Sequence, residues 1–410
     1  MNQESTAVQK TPGYAWGVLF ALYLVTLSAT LNLFKVPPLM PVLMAKFNVS
    51  IVKTGDLMSI FSIMGFVLAI PAGYILKRIG IKATALISVA AVAIGPAVGA
   101  LATTFTVLYA GRFIEGIGMG LIMVTAPLAI SVWFPLNNRS LPTGLWASSV
   151  GLGNILMLFI APSLAVAHNW QLVWWICAAF SALSFIIFAI MFRMPKTEEI
   201  GDAAAPPPSS EEESPSLLKG MANKDFWMIA IAFGCYNLVV MAISNFYPTY
   251  LTEVKHFLMT YDQGLLMHAS FVTAFIFGAS IFTAPGGGYI SDRLGKRKIM
   301  ILIPYIPMTI TFLFPFKVTG SMIPLYTLVF GIVGGPLSAV LLASVPEVAK
   351  KPQYIGIGMA VAIFGQNIGM YLAGTIFPRI QVVTSWATAG YWMIPICVVG
   401  IIATLFIKVR

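Results

Sequence analysis

Twelve long apolar stretches, separated by short polar or turn-forming breaks, run through this 410-residue sequence. A helix needs roughly 20 residues to cross about 30 Å of hydrocarbon. The stretches fall at 14–46, 52–76, 81–103, 104–134, 139–166, 169–193, 224–252, 263–290, 297–316, 320–347, 353–379 and 385–408. The side chains agree: 59% are hydrophobic and 9% charged, where a soluble domain carries about a quarter charged residues. Too few polar groups remain to cover a water-soluble surface, so lipid must be the solvent. The net charge of +10 would suggest nucleic acid in a soluble chain; with this hydropathy it points to membrane topology, and no nucleic-acid partner is expected.

Pro37, Pro38 and Pro41 fall inside the first stretch and Gly116, Gly118 and Gly120 inside the fourth. Neighbouring helices can re-satisfy backbone groups that such residues free, and small residues allow close helix approach. Cys177, Cys235 and Cys397 all lie in apolar stretches without paired spacing, which reads as buried free thiols. The polar N-terminus has neither a basic n-region nor a small-residue cleavage site, so no removable leader is expected.

Lys and Arg set the orientation. With both termini cytoplasmic, 17 basic residues fall inside and 5 outside, and two lie within spans. That bias predicts an inside location for both ends of a multi-pass cell-membrane protein. Residues 194–222 break the apolar pattern with Pro206-Pro207-Pro208-Ser209-Ser210 and Glu211-Glu212-Glu213. This segment reads as a solvated cytoplasmic linker joining an N-terminal six-helix bundle, 14–193, to a C-terminal one, 223–408.

The two halves are related. Gly73-Tyr-Ile-Leu-Lys77-Arg78-Ile-Gly80 aligns with Gly288-Tyr-Ile-Ser-Asp292-Arg293-Leu-Gly295 at an offset of 215 residues. Gly144, Gly151 and Pro162 answer to Gly358, Gly365 and Pro378, and Gly116 answers to Gly331, at nearly the same offset. The predicted fold class is therefore an all-α membrane protein with an internal parallel repeat of six helices.

These residues also carry a family resemblance. Gly288-x-x-x-Asp292-Arg293-x-Gly295-Lys296-Arg297 resembles the cytoplasmic signature loop of the major facilitator superfamily, and Gly111-Arg112 with Glu115-Gly116 resembles a second motif of that family. Through helix count, linker and repeat the resemblance extends over essentially the whole chain. It implies the major facilitator fold and alternating access between the bundles. It implies gating roles for Gly288, Asp292, Arg293 and Gly295, and for Gly73, Arg78 and Gly80 in the first copy. The first copy departs from the pattern at Lys77, where the family has Asp, so a carboxylate latch is implied only for the second. Topological basic loops are the alternative account.

Charges within a bilayer are costly and mark candidate sites. Lys35, Arg112 and Glu115 are the clear cases, all in the first half. Arg112 and Glu115 are three apart, so their side chains can meet on one helix face. They read either as a local ion pair that permits burial, or as an anion dock (Arg112) beside a proton acceptor (Glu115). In the second reading, competition for Arg112 couples protonation to substrate binding. Lys35 either snorkels to the outer interface or forms a second anion contact. Asp56, at the outer end of span two, reads as solvated. Neutral polar candidates for the cavity lining are Asn32, Asn154, Tyr236, Asn237, Asn245, Tyr247, Gln366 and Asn367, with interhelical bonding as the alternative.

Span five matches the start of the antiporter glycine pattern at Gly144 and Gly153, but Met157-Leu158 stand where Gly-Pro should follow. No Gly-Lys-Ser/Thr phosphate loop occurs, and His168, His256 and His268 form no metal cluster; neither enzyme activity, cofactor nor metal is expected. The predicted function is secondary active transport of a small anionic solute, coupled to protons, by a monomer. The narrower resemblance is to prokaryotic cyanate, nitrate/nitrite and monocarboxylate permeases. Proton-coupled efflux of a lipophilic compound is the first alternative. A non-transporting membrane sensor on the same scaffold is the second; retention of Arg112 and the lack of an output domain speak against it.

Overall fold

In the computed structural model, residues 12–69, 71–134, 140–195, 220–259, 268–349, 351 and 354–409 are described, except for the side chains of a few residues within helices. Among them, eleven helices are long and apolar enough to cross a membrane. The N-terminal group comprises α1 (Gly13–Phe34), α2 (Met40–Phe47), α3 (Ile51–Ala69), α4 (Pro71–Ala100), α5 (Phe105–Trp133), α6 (Ser140–Ala167) and α7 (Trp170–Met191). The C-terminal group comprises α8 (Lys224–Glu253), α9 (Ala269–Leu294), α10 (Arg297–Thr311), α11 (Met322–Val348), α12 (Ile355–Val383), α13 (Trp386–Tyr391) and α14 (Met393–Phe406). The linker expected at 194–222 falls largely outside the described residues.

Local chemistry explains where the helices break. The first span is not continuous: α1 stops at Phe34, and Pro37–Leu39 form a 3-10 turn before α2. Pro37 and Pro38 have no N–H to bond the carbonyls of Leu33 and Phe34, so the α-helical ladder cannot pass them. The α4 helix contains a sharp kink at Gly80, whose φ of 83° and ψ of 168° separate the end of the second span from the third. Gly295, at φ 60°, ends α9 in the left-handed conformation that glycine accepts most readily. The ninth expected span is the exception among the twelve. Its helix α10 has 15 residues and two internal prolines, and at 1.5 Å per residue it covers about 22 Å, short of the hydrocarbon thickness.

Helix ends sort onto two faces. Arg193 lies over the rings of Tyr14 and Trp133, while Asn223 donates to the Val348 carbonyl and Lys408 N–H to Asp225. These contacts mark the face that bears the termini. On the far face Phe47 packs on Phe105 and Trp170, and Tyr250, Phe316 and Trp386 form a ring cluster.

The two groups meet along two seams. In the first, α3 runs against α12: Ser59 donates to the Tyr371 carbonyl at 3.0 Å, and Phe66 packs edge-on against Phe364 and Tyr371 at 6.0 Å. Gly55 makes this approach possible, because a Cβ there would stand 3.1 Å from both Phe246 and Pro378 and closer still to the Gly374 carbonyl. In the second, α6 runs against α9, with Phe159 on Phe271 at 4.9 Å. The Pro37–Leu39 turn packs against α8. Toward the far face the first seam ends in an ion pair, Asp56 with Arg379 at 3.3 Å. Asp56 is thus paired across the halves, not simply solvated as the sequence suggested.

Candidate functional site

Glu115 is the hub of a charged cluster inside the N-terminal group. Its Oε2 accepts from Arg112 Nη1 at 2.5 Å, one helical turn away on α5. Its Oε1 accepts from Lys35 Nζ at 2.7 Å, at the C-terminal end of α1. All three side chains have no solvent exposure. Lys35 therefore does not snorkel to the interface. It turns inward, and its ammonium also donates to Asn32 Oδ1 at 2.6 Å and lies 4.6 Å from the Trp174 ring centre.

The backbone holds the cluster in place. Arg112 donates from Nη1 to the Asn32 carbonyl at 2.6 Å and from Nε to the Leu57 carbonyl at 3.1 Å, while its guanidinium faces the Phe61 ring at 4.5 Å. Its Nη2 has no hydrogen-bond partner. Asn32 is itself anchored: its amide donates to the Ser28 carbonyl at 2.9 Å and to Ser181 Oγ at 3.4 Å. Glu115 fits because α4 and α5 cross on glycines. A Cβ on Gly95 would sit 2.5 Å from Glu115 Cγ and 2.8 Å from the Gly111 carbonyl.

Two cations and one carboxylate leave the cluster with a net charge of +1 in a dry setting. Burying unpaired charge costs several kcal/mol per ion even after relaxation. Arg112 Nη2 is a buried donor of this cluster that none of its neighbours satisfies.

The other candidates are more scattered. Asn154, on α6, is 2% exposed and its Oδ1 has no partner. Tyr236 lines a narrow cavity between α8, α9 and α11 with Phe277, Ser280 and Gly334. Asn237 bonds within α8, donating to the Phe233 carbonyl at 2.9 Å. Asn367 donates to the Ile363 carbonyl at 2.9 Å and lies against Gly65 at the α3–α12 seam; Gln366, beside it, is half-buried. Tyr247 is placed differently from a cavity-lining residue. Its hydroxyl donates to the Pro315 carbonyl at 2.9 Å, within the ring cluster on the far face, because the chain between α10 and α11 offers a bare carbonyl there.

At the expected gate loops, Arg78, Gly80, Arg293 and Gly295 are exposed on the termini-bearing face, and Gly73 and Gly288 lie within α4 and α9. The Asp292 side chain, on which the latch expectation rests, lies outside the described residues. On the same face Arg297, at the start of α10, pairs with Glu347 near the end of α11. Sequence reasoning did not pair Lys35 with Glu115 or Asp56 with Arg379, since contacts across helices leave no spacing signal. The larger cavity, about 230 Å³, lies between α8 and α12. Trp227, Ile231, Leu238, Phe364 and Ile368 line it and none of the charged candidates does.

The family model described as "Major Facilitator Superfamily" matches residues 22–271 and 259–410. Among curated relatives, the hexuronate transporter of Escherichia coli K12 is 24% identical over 272 residues, 61% of this chain and 62% of that protein. The probable nitrate transporter NarT of Staphylococcus carnosus is 26% identical over 271 residues, 65% of this chain and 63% of that protein. The chain thus spans less than two thirds of the length of these relatives. Among solved structures, a point mutant of the nucleoside transporter NupG has a TM-score of 0.76 at 16% identity, covering 97% of this chain and all of that one, which shows the fold. The resemblance carried by the signature loop and by Gly111-Arg112 is thereby confirmed at the level of the family. With a matching family model over nearly its full length and that family's helical fold, this chain is a multi-pass membrane transporter of the major facilitator superfamily and not an enzyme.

Proposed function

We propose that this transporter moves a small organic or inorganic anion across the cell membrane by alternating access, as a proton-coupled monomer with both termini cytoplasmic. The observation that carries the reading is the Glu115 carboxylate bridging Lys35 and Arg112 with no solvent exposure. In this scheme Arg112 and Lys35 are the docking cations, and Glu115 holds their place until the anion arrives. Protonation of Glu115 weakens both of its bonds, raises the net charge of the cluster and so favours anion binding. Loss of the proton restores the bridge and favours release. Relatives described as hexuronate and nitrate transporters support an anionic cargo.

The closed end of the seam, with Asp56 on Arg379, corresponds in this orientation to the extracellular side. The state described is then one closed to the outside. Reconstituted protein tests the reading: wild type takes up a radiolabelled anion down an imposed pH gradient, and Arg112→Ala, correctly inserted, takes up none. Full uptake by Arg112→Ala removes the anion dock.

A further inference from the structure

Three buried polar groups on α8 are without hydrogen-bond partners. Ser244, Asn245 and Thr249 on α8 are 3%, 3% and 0% exposed, and Ser244 Oγ, Asn245 Oδ1 and Thr249 Oγ1 have no hydrogen-bond partner. Pro248 has no N–H to give the Ser244 carbonyl, as Pro37 and Pro38 have none for Leu33 and Phe34. Buried oxygens of this kind are ordinarily satisfied.

These groups lie at the depth of the cluster. Both α1 and α8 start on the termini-bearing face, and Phe34 and Asn245 each come 21 residues after their helix start, Gly13 and Lys224. At 1.5 Å per residue both stand about 32 Å along their helices. The Pro37–Leu39 turn, directly after Lys35, packs against α8. One level of the molecule therefore carries a net positive cluster on the N-terminal side and neutral hydroxyl and amide groups on the C-terminal side.

We infer that Ser244, Asn245 and Thr249 form a second subsite, which accepts hydrogen bonds from hydroxyl groups of the cargo, so that the cargo is a hydroxylated carboxylate of sugar-acid type and not a bare inorganic anion. The inference rests on the anion reading above and adds the substrate class. Asn245 Oδ1 calls for a donor, and the two hydroxyls call for a partner that both donates and accepts. A cation would supply charge where the neighbouring cluster is already positive, and a second anion would accept from the Ser244 and Thr249 hydroxyls but leave Asn245 Oδ1 without a donor. A hydroxyl donates one bond and accepts another, as the Ser and Thr hydroxyls require. Nitrate has no donor, so it accepts from the Ser244 and Thr249 hydroxyls at most and leaves Asn245 Oδ1 unsatisfied.

Ligand binding to purified, reconstituted protein decides this, with glucuronate, cyclohexanecarboxylate (similar ring, no hydroxyls) and nitrate as probes. Wild type is expected to bind glucuronate at least tenfold more tightly than either other anion. Asn245→Leu with Thr249→Val, both close in volume, is expected to bring the glucuronate and cyclohexanecarboxylate affinities within twofold, through loss on the glucuronate side alone. Thr249→Ser, which keeps the hydroxyl, retains the preference and shows that the site tolerates substitution.

Equal binding of the two carboxylates by wild type, tighter binding of nitrate, or a preference that survives the double variant each overturns the inference. Those results leave the anion reading standing as long as Arg112→Ala abolishes binding of every probe. If Arg112→Ala binds all probes as wild type does, the anion reading falls and this inference with it.

Discussion

Glu115 reaches Lys35 across 80 positions of sequence with the same carboxylate that holds Arg112 on its own helix, one oxygen to each cation. This bridge makes the three residues a single electrostatic unit, so their substitutions are not interchangeable. Removing Lys35 leaves a neutral Arg112–Glu115 pair. Removing Glu115 leaves two buried cations. Breaking a buried pair typically costs about 3–5 kcal/mol because of the charge left behind. Glu115→Ala is therefore expected to lower thermal stability far more than Lys35→Met, as read by unfolding of the protein in detergent. Glu115→Ala combined with Lys35→Met should recover part of the loss, since one of the two stranded cations is gone while Arg112 still lacks its carboxylate; a double variant as unstable as the sum of the singles would show that the unit is not coupled.

The pH response separates transport from folding. Glu115→Gln keeps the shape and removes the titrating group. In the scheme proposed above, net anion uptake by this variant no longer follows the pH gradient, while exchange of labelled for unlabelled anion continues. Counterflow and gradient-driven uptake measured on the same vesicles distinguish these. A variant that retains the wild-type pH profile assigns the coupling proton elsewhere.

The sequence foreshadowed the local part of this unit. Arg112 and Glu115 share a helix face by spacing alone, whereas the break that Pro37 and Pro38 impose just after Lys35 was read as part of one continuous span. The family motifs, the internal repeat and the number of apolar stretches were equally visible, because glycine, proline and hydropathy patterns are local. Partners across helices were not. Nothing in the residues around Asp56 points to Arg379, and the solvated reading of Asp56 followed from its place at a span end. Tyr247 misled for a related reason: an apolar helix shows no preference for which side a phenol takes, and here the bare Pro315 carbonyl decides it. The shortness of α10 was not legible either: its two prolines lie inside the helix, and α11 carries two as well at 27 residues.

The cross-half pair invites a quantitative limit. Asp56 and Arg379 are 28% and 51% exposed in their side chains, and ion pairs this accessible contribute about 0–1 kcal/mol. If the pair biases the closed far side, Asp56→Asn can shift that equilibrium by no more than about fivefold, since 1.4 kcal/mol corresponds to tenfold. Labelling of a cysteine placed at Ser59, on the seam beside the Tyr371 carbonyl, is expected to speed up by a factor within that limit. Acceleration of a hundredfold would mean that the pair carries the seam, against the packing of Gly55, Phe66 and Phe364.

The glycine crossing under Glu115 should be less forgiving. A Cβ on Gly111 would stand 2.7 Å from the Gly95 carbonyl and 3.0 Å from the Gly99 nitrogen, backbone atoms that cannot rotate away. Gly111→Ala therefore has to push α4 and α5 apart, and overpacking of this kind costs about 1–3 kcal/mol. The shift acts one helical turn from Glu115 and next to Arg112, so it also alters the bridge to Lys35. The expected outcome is a lowered unfolding temperature together with weakened anion binding. Gly144→Ala, at a position with open space around it, serves as the control and should leave both unchanged. Loss of stability without any change in anion affinity would show that the cluster tolerates movement of α5, and would separate the packing of the crossing from the function of the charges it supports.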